Sequence, residues 1–500
     1  MPIHFLGDPM TLRTYRYISI TLFILTVAAT IIASSQVKTE TLDELVAGFV
    51  KQQQFNGSVL VAHNGKVVLR KGYGYANFEL RSPNEADTKF RLASVTKQFT
   101  AMAVMQLVER GALRLEGTIS EYLPDYPKET GSKVTIHHLL THTSGIPSYT
   151  DFPGFMQQHV RDPYRPQNFI KYFKDSTLLF QPGERFAYNN SAYFLLGVII
   201  EKVTGKPYAQ VLAEQIFIPL GMKNTGYDVN ARVLPKRAAG YQLNGEQLMN
   251  APYIDMSIPY AAGSLYSTVD DLLLWDNALY TETLVKKETI NKIFTPHINA
   301  AGRGVPNYYG YGWFLGKEQI GSSADSVETI EHGGGIFGFN TLMFRVPKSK
   351  TTIILLSNVT GGRLRDMTRS ILGVVYDKPY DKAKQSVATA LKNDIARIGL
   401  DKAVAAYRVN KEKKSEYYMS EGELNGAGYE FLAQKKFDEA IAIFTLIVES
   451  FPRSSNAYDS LGEGYMVSGD KENAIKNYEK SIELNPNNDN GKEMLKKLKN

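Results

Sequence analysis

A serine and a lysine lie three residues apart at the start of an apolar stretch of the sequence. Ser94 and Lys97 precede Phe99, Met102 and further apolar residues whose spacing predicts a helix with one buried face. Side chains three positions apart lie on the same side of a helix, so the Lys97 amine can reach the Ser94 hydroxyl. Because a lysine whose pKa is lowered by burial can take a proton from serine, we interpret Ser94 as a nucleophile.

The Ser-x-x-Lys pattern is weak by itself because it recurs elsewhere in this chain. Ser35 and Lys38 lie beside an apolar amino-terminal stretch, and Ser468 and Lys471 lie in a predicted turn between helices. Neither of these pairs begins a buried helix. The chemistry therefore depends on which other groups the fold brings to Ser94.

Two other stretches carry side chains that such chemistry needs. Tyr188 and Asn190 place a phenol and an amide in a loop that leads into an apolar helix, predicted over 192–203. His332 lies between two extended stretches and begins a glycine run that consists of Gly333, Gly334 and Gly335. Glycine inside a strand indicates close approach by a ligand or by another backbone. These stretches are the second and third candidate parts of a site.

The composition limits the classes of function. With 500 residues and 43% hydrophobic content, the chain is expected to form two or more domains. Its formal net charge of +6 is not gathered into a basic block, so nucleic acid is not an expected partner. The absence of cysteine excludes disulfides, thiolate metal sites and a cysteine nucleophile.

Residues 1–35 have the pattern of an export signal. Arg13 and Arg16 precede an apolar run over 18–33, and small residues follow where a signal peptidase would cleave. We therefore expect an exported protein that resides in the periplasm or at the cell envelope. The alternative is that the signal stays uncleaved and that residues 18–33 tether the protein to the membrane.

Strand patterns occur at two distant places in the chain. Residues 58–62 and 66–70 alternate around an Asn-Gly turn, and further strands are predicted over 339–346 and 351–356. The segment between them is mostly helical. We therefore predict an α+β domain whose antiparallel sheet is built from both of its ends. Such a sheet would bring the three candidate stretches together.

Three histidines, His137, His138 and His142, are clustered in the sequence. His138 and His142 are one helical turn apart, a spacing that metal ligands use, but no carboxylate follows at ligand spacing. We therefore expect these histidines to be structural and expect no metal.

Towards its carboxy terminus the chain repeats itself with a period of 34 residues. Matching positions are Gly428 and Gly462, Phe431 and Tyr465, Ala440 and Ala474, and Pro452 and Pro486. The period and the small-residue positions resemble tetratricopeptide repeats, which are pairs of antiparallel helices. We predict an all-α repeat domain over 416–500 and, before it, a linker over 376–415 with a helix from Ala388 to Tyr407. A groove for a protein partner and a rigid cap on the first domain both remain open as roles.

Taken in order, the three candidate stretches resemble the motifs of the serine β-lactamase and penicillin-binding-protein superfamily. The matching residues are Ser94-x-x-Lys97, Tyr188-x-Asn190 and His332-Gly333-Gly334. The resemblance extends over residues 41–375 and is to the class C-related branch, which contains class C β-lactamases, D,D-carboxypeptidases, D-aminopeptidases and family VIII esterases. It implies a β-lactamase-like sheet with helices on both faces.

The resemblance also implies a role for each residue. Ser94 would attack a carbonyl to give an acyl-enzyme, Lys97 and Tyr188 would move the proton, and Asn190 would position Lys97 and the substrate amide. Backbone N–H groups of Ser94 and Gly335 would hold the oxyanion. Water would then release the acyl group, and no metal or cofactor would take part.

Two positions depart from many relatives, which carry Lys-Thr-Gly at the third motif. His332 replaces the lysine, and a histidine near its reference pKa of about 6.5 is mostly neutral at pH 7. With one cation fewer, we expect Lys97 to be the initial base and Tyr188 to relay the proton. Activity should then fall in acid with an apparent pKa set by Lys97 and His332 together.

The second departure is Gly333, which replaces a threonine. In relatives the threonine hydroxyl is aimed at the carboxylate of a β-lactam or of a D-alanyl terminus. Its loss favours an esterase, or a peptidase for D-amino acid or D,D-peptide substrates, so the expected partner is a small-molecule or peptide substrate. A β-lactamase of class C type is one alternative. An inactive scaffold whose repeats bind a protein partner is the other.

Overall fold

The computed structural model describes residues 38–244, 247–300 and 308–499. The predicted export signal and membrane tether therefore lie outside the described residues. Within the described ranges, no helix is both long and apolar enough to cross a membrane. The chain divides into two compact units, one that extends to Tyr380 and one that starts at Asp381 and also takes in Leu243–Leu248.

The first unit is built on an eight-stranded antiparallel sheet. Its first strand lies beside its last, with Gly57 opposite Ser357, so the sheet joins both ends of the domain as predicted. In chain order the strands are β1 (Gly57–His63), β2 (Lys66–Tyr73), β3 (Ile298–Asn299), β4 (Tyr308–Tyr309), β5 (Phe314–Gln319), β6 (Ser326–Ile336), β7 (Phe339–Val346) and β8 (Thr351–Ser357). Their order across the sheet is β3-β4-β5-β6-β7-β8-β1-β2.

Helices and smaller strand pairs make up the rest of this unit. The longer helices are α1 (38–51), α2 (Thr96–Glu109), α3 (Asn190–Thr204), α4 (Val269–Ala278) and α5 (Leu364–Val375). Shorter helices span Ile119–Tyr122, Lys128–Gly131, Ile136–Leu140, Phe155–Gln158, Pro166–Phe169, Tyr208–Leu212, Ile218–Leu220 and Lys287–Ile293. Short strands pair Phe90–Arg91 and Gly226–Tyr227 with Leu265–Ser267, Tyr75–Asn77 with Ser82–Pro83, and Tyr241–Asn244 with Gln247–Asn250.

Helices cover both faces of the large sheet. Arg345 on β7 is paired with Ile330 on β6, so the side chain of the next residue, Glu331, points to the opposite face. Arg345 reaches Asp276 of α4 at 2.7 Å, whereas Glu331 bonds to Arg365 of α5. The α+β fold with helices on both faces of the sheet is therefore confirmed.

Helix α2 runs through the middle of the first unit. The sequence predicts one buried face, but every residue from Thr96 to Leu107 is buried. The prediction of a single face was wrong because polar residues of this helix also find buried partners, as when Gln98 Oε1 accepts a hydrogen bond from Trp275 Nε1 at 3.0 Å. Burial on all sides of α2 is what removes Lys97 from water.

From Asp381 to Lys499, the second unit is helical apart from a pairing of Gln385–Ser386 with Tyr417–Tyr418. The predicted single helix from Ala388 to Tyr407 was wrong, because Gly399 adopts φ +85 and interrupts it. The helices are α6 (Val387–Ile398), α7 (Leu400–Asn410), α8 (Glu421–Ala433), α9 (Phe437–Ser450), α10 (Ser455–Ser468), α11 (Lys471–Leu484) and α12 (Asp489–Lys499).

The 34-residue repeat has a packing explanation. Gly428 of α8 lies against the ring of Phe444, where an added Cβ would come within 2.4 Å of a ring carbon. Gly462 of α10 lies against the ring of Tyr478 in the same way, with a Cβ distance of 3.2 Å. Each glycine therefore lets the two helices of its pair approach around one aromatic ring. The predicted helical repeat is confirmed.

Candidate active site

Ser94 lies in a 3-10 turn, Ala93–Val95, immediately before α2. Ala93 adopts φ +49, a left-handed conformation that is strained for a residue with a side chain and that recurs at functional sites. The Thr341 hydroxyl of β7 donates to the Leu92 carbonyl at 2.9 Å, just before the turn. The large sheet therefore fixes the turn that presents Ser94, whose side chain is half-buried rather than sealed from solvent.

Lys97 is fully buried, and its amine meets three oxygens. Nζ lies 3.1 Å from Ser94 Oγ, 2.9 Å from Asn190 Oδ1 and 2.9 Å from the Ala262 carbonyl. Burial lowers the pKa of Lys97 well below its ordinary value because the charged form loses its hydration. A neutral amine has two N–H groups, which suit Asn190 and Ala262, and one lone pair, which faces the Ser94 hydroxyl. The geometry is that of a base beside its nucleophile.

Tyr188 lies in the loop before α3 with its ring against the same amine. Lys97 Nζ is 4.8 Å from the centroid of the Tyr188 ring. On its other side the ring packs on His142, with centroids 4.4 Å apart. Tyr188 and Ser94 also line one cavity. The phenol predicted from the second motif is therefore brought to the serine and the lysine of the first.

His332 is buried at the end of a chain of hydrogen bonds. Asn189 N–H donates to His142 Nδ1 at 3.0 Å, so His142 carries its proton on Nε2 and donates it to Tyr309 Oη at 3.2 Å. Tyr309 then donates to His332 Nε2 at 3.2 Å, and His332 Nδ1 donates to the Gly333 carbonyl at 2.6 Å. This order of donors fixes the tautomer of both histidines.

Burial changes the expected titration of His332. Its pKa is lowered to about 3, first because burial penalises the imidazolium; a protonated Lys97 would lower it too. His332 is therefore neutral at any pH near 7. The expectation that His332 and Lys97 together set the acid limb is corrected, because the site holds His332 neutral far below its reference pKa.

Asn190 is the first residue of α3 and is held on both sides. Its Oδ1 accepts from Lys97, and its Nδ2 donates to Thr150 Oγ1 at 3.2 Å. Its backbone N–H donates to Ser148 Oγ at 3.2 Å, and the preceding Asn189 caps the helix by accepting from the Ala192 N–H at 2.8 Å. The side chain that orients the Lys97 amine is thus fixed by a helix start and a loop.

The glycine run passes directly beside Ser94. A Cβ on Gly334 would lie 2.2 Å from the Leu92 carbonyl and 3.1 Å from Ser94 N, so this position requires glycine. By contrast, a Cβ on Gly333 would meet nothing closer than 3.6 Å, and one on Gly335 would meet nothing within 4 Å. The backbone of β6 can therefore reach the turn that presents Ser94, while Gly335 remains open towards the cleft.

The edge of β6 is open where it passes the serine. β5 pairs with β6 only as far as Phe314 opposite Glu331, and β7 continues the pairing on the other side to Ile336. One cavity of 520 Å³ is mainly apolar and is lined by Ser94, Tyr149, Asn190, Ile254, Gly335 and Phe337, among others. A second cavity of 430 Å³ is lined by Ser94, Tyr188, Phe314, Glu331, His332 and Arg365, among others. Ser94 therefore lines both a mainly apolar cavity and a smaller cavity that has a larger polar share.

The clustered histidines have separate structural positions. His138 Nδ1 accepts from the Thr135 N–H at 3.3 Å at the start of a helix, and His137 Nδ1 lies 2.9 Å from Tyr311 Oη. In the described ranges, no group of three or more metal-binding side chains converges. His142 supports Tyr188 and His332.

Sequence reasoning did not predict the part played by Tyr309, and it treated His142 only as structural. Tyr309 is one of 30 tyrosines and belongs to no motif, so the sequence carries no signal for it. The sequence singled out His142 only as one of three clustered histidines.

Comparison with known proteins agrees with this geometry. Residues 42–375 match the family model described as Beta-lactamase, and residues 455–488 match the model described as Tetratricopeptide repeat. Penicillin-binding protein 4* of Bacillus subtilis strain 168 is 30% identical over 413 residues, which cover 78% of this chain and 89% of that protein.

Solved structures show the same similarity. The octameric penicillin-binding protein homologue from Pyrococcus abyssi is 30% identical with a TM-score of 0.59, over 68% of this chain and 78% of that chain. D-amino acid amidase from Ochrobactrum anthropi SV3 is 25% identical with a TM-score of 0.57, over 69% of this chain and 98% of that chain. The resemblance inferred from the three motifs is therefore confirmed.

Proposed function

Because the chain belongs to the beta-lactamase family, whose members are serine hydrolases, we propose that it hydrolyses an ester or an amide through an acyl-enzyme on Ser94. The observation that carries this proposal is the position of the Lys97 amine, 3.1 Å from Ser94 Oγ in a site where burial lowers its pKa. An amine without a proton can accept the proton of a serine hydroxyl.

The proposed reaction uses the groups in a fixed order. Lys97 takes the proton from Ser94 Oγ as the oxygen attacks the substrate carbonyl. The backbone N–H groups of Ser94 and Gly335 stabilise the oxyanion. Tyr188 relays the proton to the leaving group, so this group lies on the Tyr188 side of Ser94. Water then attacks the acyl-enzyme with the same groups acting in reverse.

The proposed substrate class is an ester or a D-amino acid or D,D-peptide amide. D-amino acid amidase and penicillin-binding proteins are among the similar proteins, which supports an amide or peptide substrate. The mainly apolar cavity beside Asn190 supports an uncharged acyl group and thus an esterase. A class C type β-lactamase remains the alternative that the glycine at position 333 and the neutral His332 support least. We further propose export to the periplasm or cell envelope, and a protein partner for the repeats.

A labelling experiment separates a hydrolase from an inactive scaffold. A fluorophosphonate probe should label the wild type once per chain, and Ser94→Ala should abolish labelling. Ser468→Ala is the matched control, because this serine belongs to the other described Ser-x-x-Lys pattern, and it should label as the wild type does. The same proteins should be assayed with p-nitrophenyl butyrate, nitrocefin and a D-amino acid anilide. A wild type that neither labels nor turns over any of these substrates would contradict the proposal.

A further inference from the structure

Glu331 is a buried acidic residue that lines a cavity together with the nucleophile, and burial raises its pKa to about 7. The residue is 2% exposed and lines the smaller cavity, which Ser94 and Tyr188 also line. One oxygen, Oε1, accepts from Arg365, whereas Oε2 has no hydrogen-bond partner among the described residues. Buried polar atoms nearly always have a partner, so an unpartnered oxygen on a residue that lines a cavity points to a ligand that hydrogen-bonds there.

The cationic side chains near this oxygen are already bonded to acidic side chains. Arg365 bonds to both Glu318 and Glu331, so one guanidinium serves two carboxylates. Arg369 adds a second cation, but it bonds to Glu318 at 2.6 Å and is not among the residues that line the cavity. His332, which does line the cavity, is neutral because burial lowers its pKa to about 3. A negatively charged group would therefore find no unshared cation among the described residues that line this cavity.

The chain leaves space between the nucleophile and Glu331. Glu331 and Gly333 lie two residues apart on β6, so they share one face of the sheet. Gly333 has no side chain there, although a Cβ would have room, with its nearest neighbour at 3.6 Å. Ser94, Tyr188, Glu331 and Arg365 all line this cavity, and the pairing of β5 with β6 stops at Glu331.

We propose that Glu331 forms a subsite for an ammonium group on the leaving-group side of the substrate, with Oε2 accepting its N–H. The assignment to the leaving group follows from Tyr188, which lines this cavity and not the apolar one. It rests on the proposed hydrolase function and narrows the substrate to esters or amides with a cationic leaving group. Substrates whose leaving group carries a carboxylate, as a D-alanyl terminus does, are disfavoured because Glu331 would repel that carboxylate and no unshared cation among the described lining residues would bind it.

The test compares two esters of equal shape. 2-(Dimethylamino)ethyl butyrate carries a protonated amine where 3-methylbutyl butyrate carries a CH group. At a pH above the Glu331 pKa of about 7, the wild type should prefer the cationic ester at least tenfold in kcat/KM, and Glu331→Gln should bring this ratio close to one. Glu318→Gln is the matched control, because Glu318 is equally buried and shares Arg365 but does not line the cavity, so its ratio should stay that of the wild type.

Other outcomes decide against the subsite or against the function. Equal ratios in the wild type and Glu331→Gln, or a wild-type preference for the neutral ester, would overturn the subsite. If Glu331→Gln does not fold, competitive inhibition of the wild type decides: protonated 2-(dimethylamino)ethanol should bind at least tenfold more tightly than 3-methylbutanol, and equal binding would overturn the proposal. A wild type that hydrolyses neither ester and resists the fluorophosphonate would instead contradict the hydrolase function on which the subsite rests.

Discussion

Two pairs of serine and lysine share the same spacing in the described chain but differ in all that surrounds them. Lys97 is fully buried inside α2, and its amine contacts Ser94. Lys471 is exposed at the start of α11, and Ser468 ends α10 with its hydroxyl donating to the Tyr465 carbonyl at 2.9 Å. Gly469, with φ +92, separates this second pair into two helices.

The difference shows that the spacing alone carries no chemistry. In the first unit a helix buried on all sides removes the amine from water, and the loss of hydration lowers its pKa. In the second unit the serine ends one helix and the lysine begins the next, and the lysine is exposed to water. Substitutions made as matched pairs in the two units can therefore test what each environment contributes.

The largest effect is expected from removing the buried amine. Lys97→Met should lower kcat/KM for p-nitrophenyl butyrate by about 10³-fold or more, because a general base typically contributes about 10²–10⁴-fold. Lys471→Met removes the exposed amine of the second pair and should leave kcat/KM within twofold. If Lys97→Met kept more than a tenth of the wild-type value, Lys97 could not be the base.

The two units also differ in what surrounds their glycines. Gly334→Ala should destabilise the first unit by about 3 kcal/mol, because its Cβ meets a backbone carbonyl at 2.2 Å that cannot rotate away. Gly428→Ala should cost the second unit less, about 1–2 kcal/mol, because the ring of Phe444 can shift. Hydrogen–deuterium exchange read by mass spectrometry gives the stability of each unit separately. Equal losses in both units would show that the turn before Ser94 adapts to a side chain.

Two buried tyrosines provide a further matched pair. Tyr309→Phe should destabilise the first unit by about 1–3 kcal/mol, because its hydroxyl joins His142 to His332. Tyr478→Phe should cost nothing measurable, since its hydroxyl has no partner among the described residues. Exchange of amides near each residue measures both effects. A neutral Tyr309→Phe would mean that the histidine tautomers are fixed by other contacts.

The smallest effect is expected in the repeats. Gly426 lies in α8, is exposed, and would meet no atom within 4 Å through an added Cβ. Gly426→Ala should stabilise the second unit by about 0.5–1 kcal/mol, because glycine inside a helix costs more backbone entropy than alanine. A destabilised variant in the same exchange experiment would show that α8 presents Gly426 to a contact.

Much of the site could be predicted because each motif lies where the chain enters or crosses a regular element. Ser94 lies in the turn immediately before α2, Asn190 begins α3, and the glycine run lies in a strand, so their places follow from local patterns. The structure brings these residues together, as a sheet joined from both ends requires. The repeat could also be predicted, because each 34-residue period places one glycine against one aromatic ring.

What escaped prediction depends on contacts between distant residues. A pattern of apolar positions cannot show that polar residues of α2 also have buried partners. The sequence therefore predicted only one buried face for this helix. The pKa of His332 follows from its burial and not from its residue type. Tyr309 acts through two histidines that are far away in sequence. Gly399 was visible in the sequence, but a single glycine inside a helical pattern does not always interrupt the helix.

The central claim is that burial makes Lys97 a free amine, and its titration tests this most directly. In protein labelled with ¹³C at the lysine Cε, the resonance that disappears in Lys97→Met should titrate well below the ordinary lysine pKa of about 10.4. Because only the unprotonated amine can accept a proton, kcat/KM should rise with pH through the same pKa. A Lys97 resonance that titrates at or above about 10.4 would contradict the account.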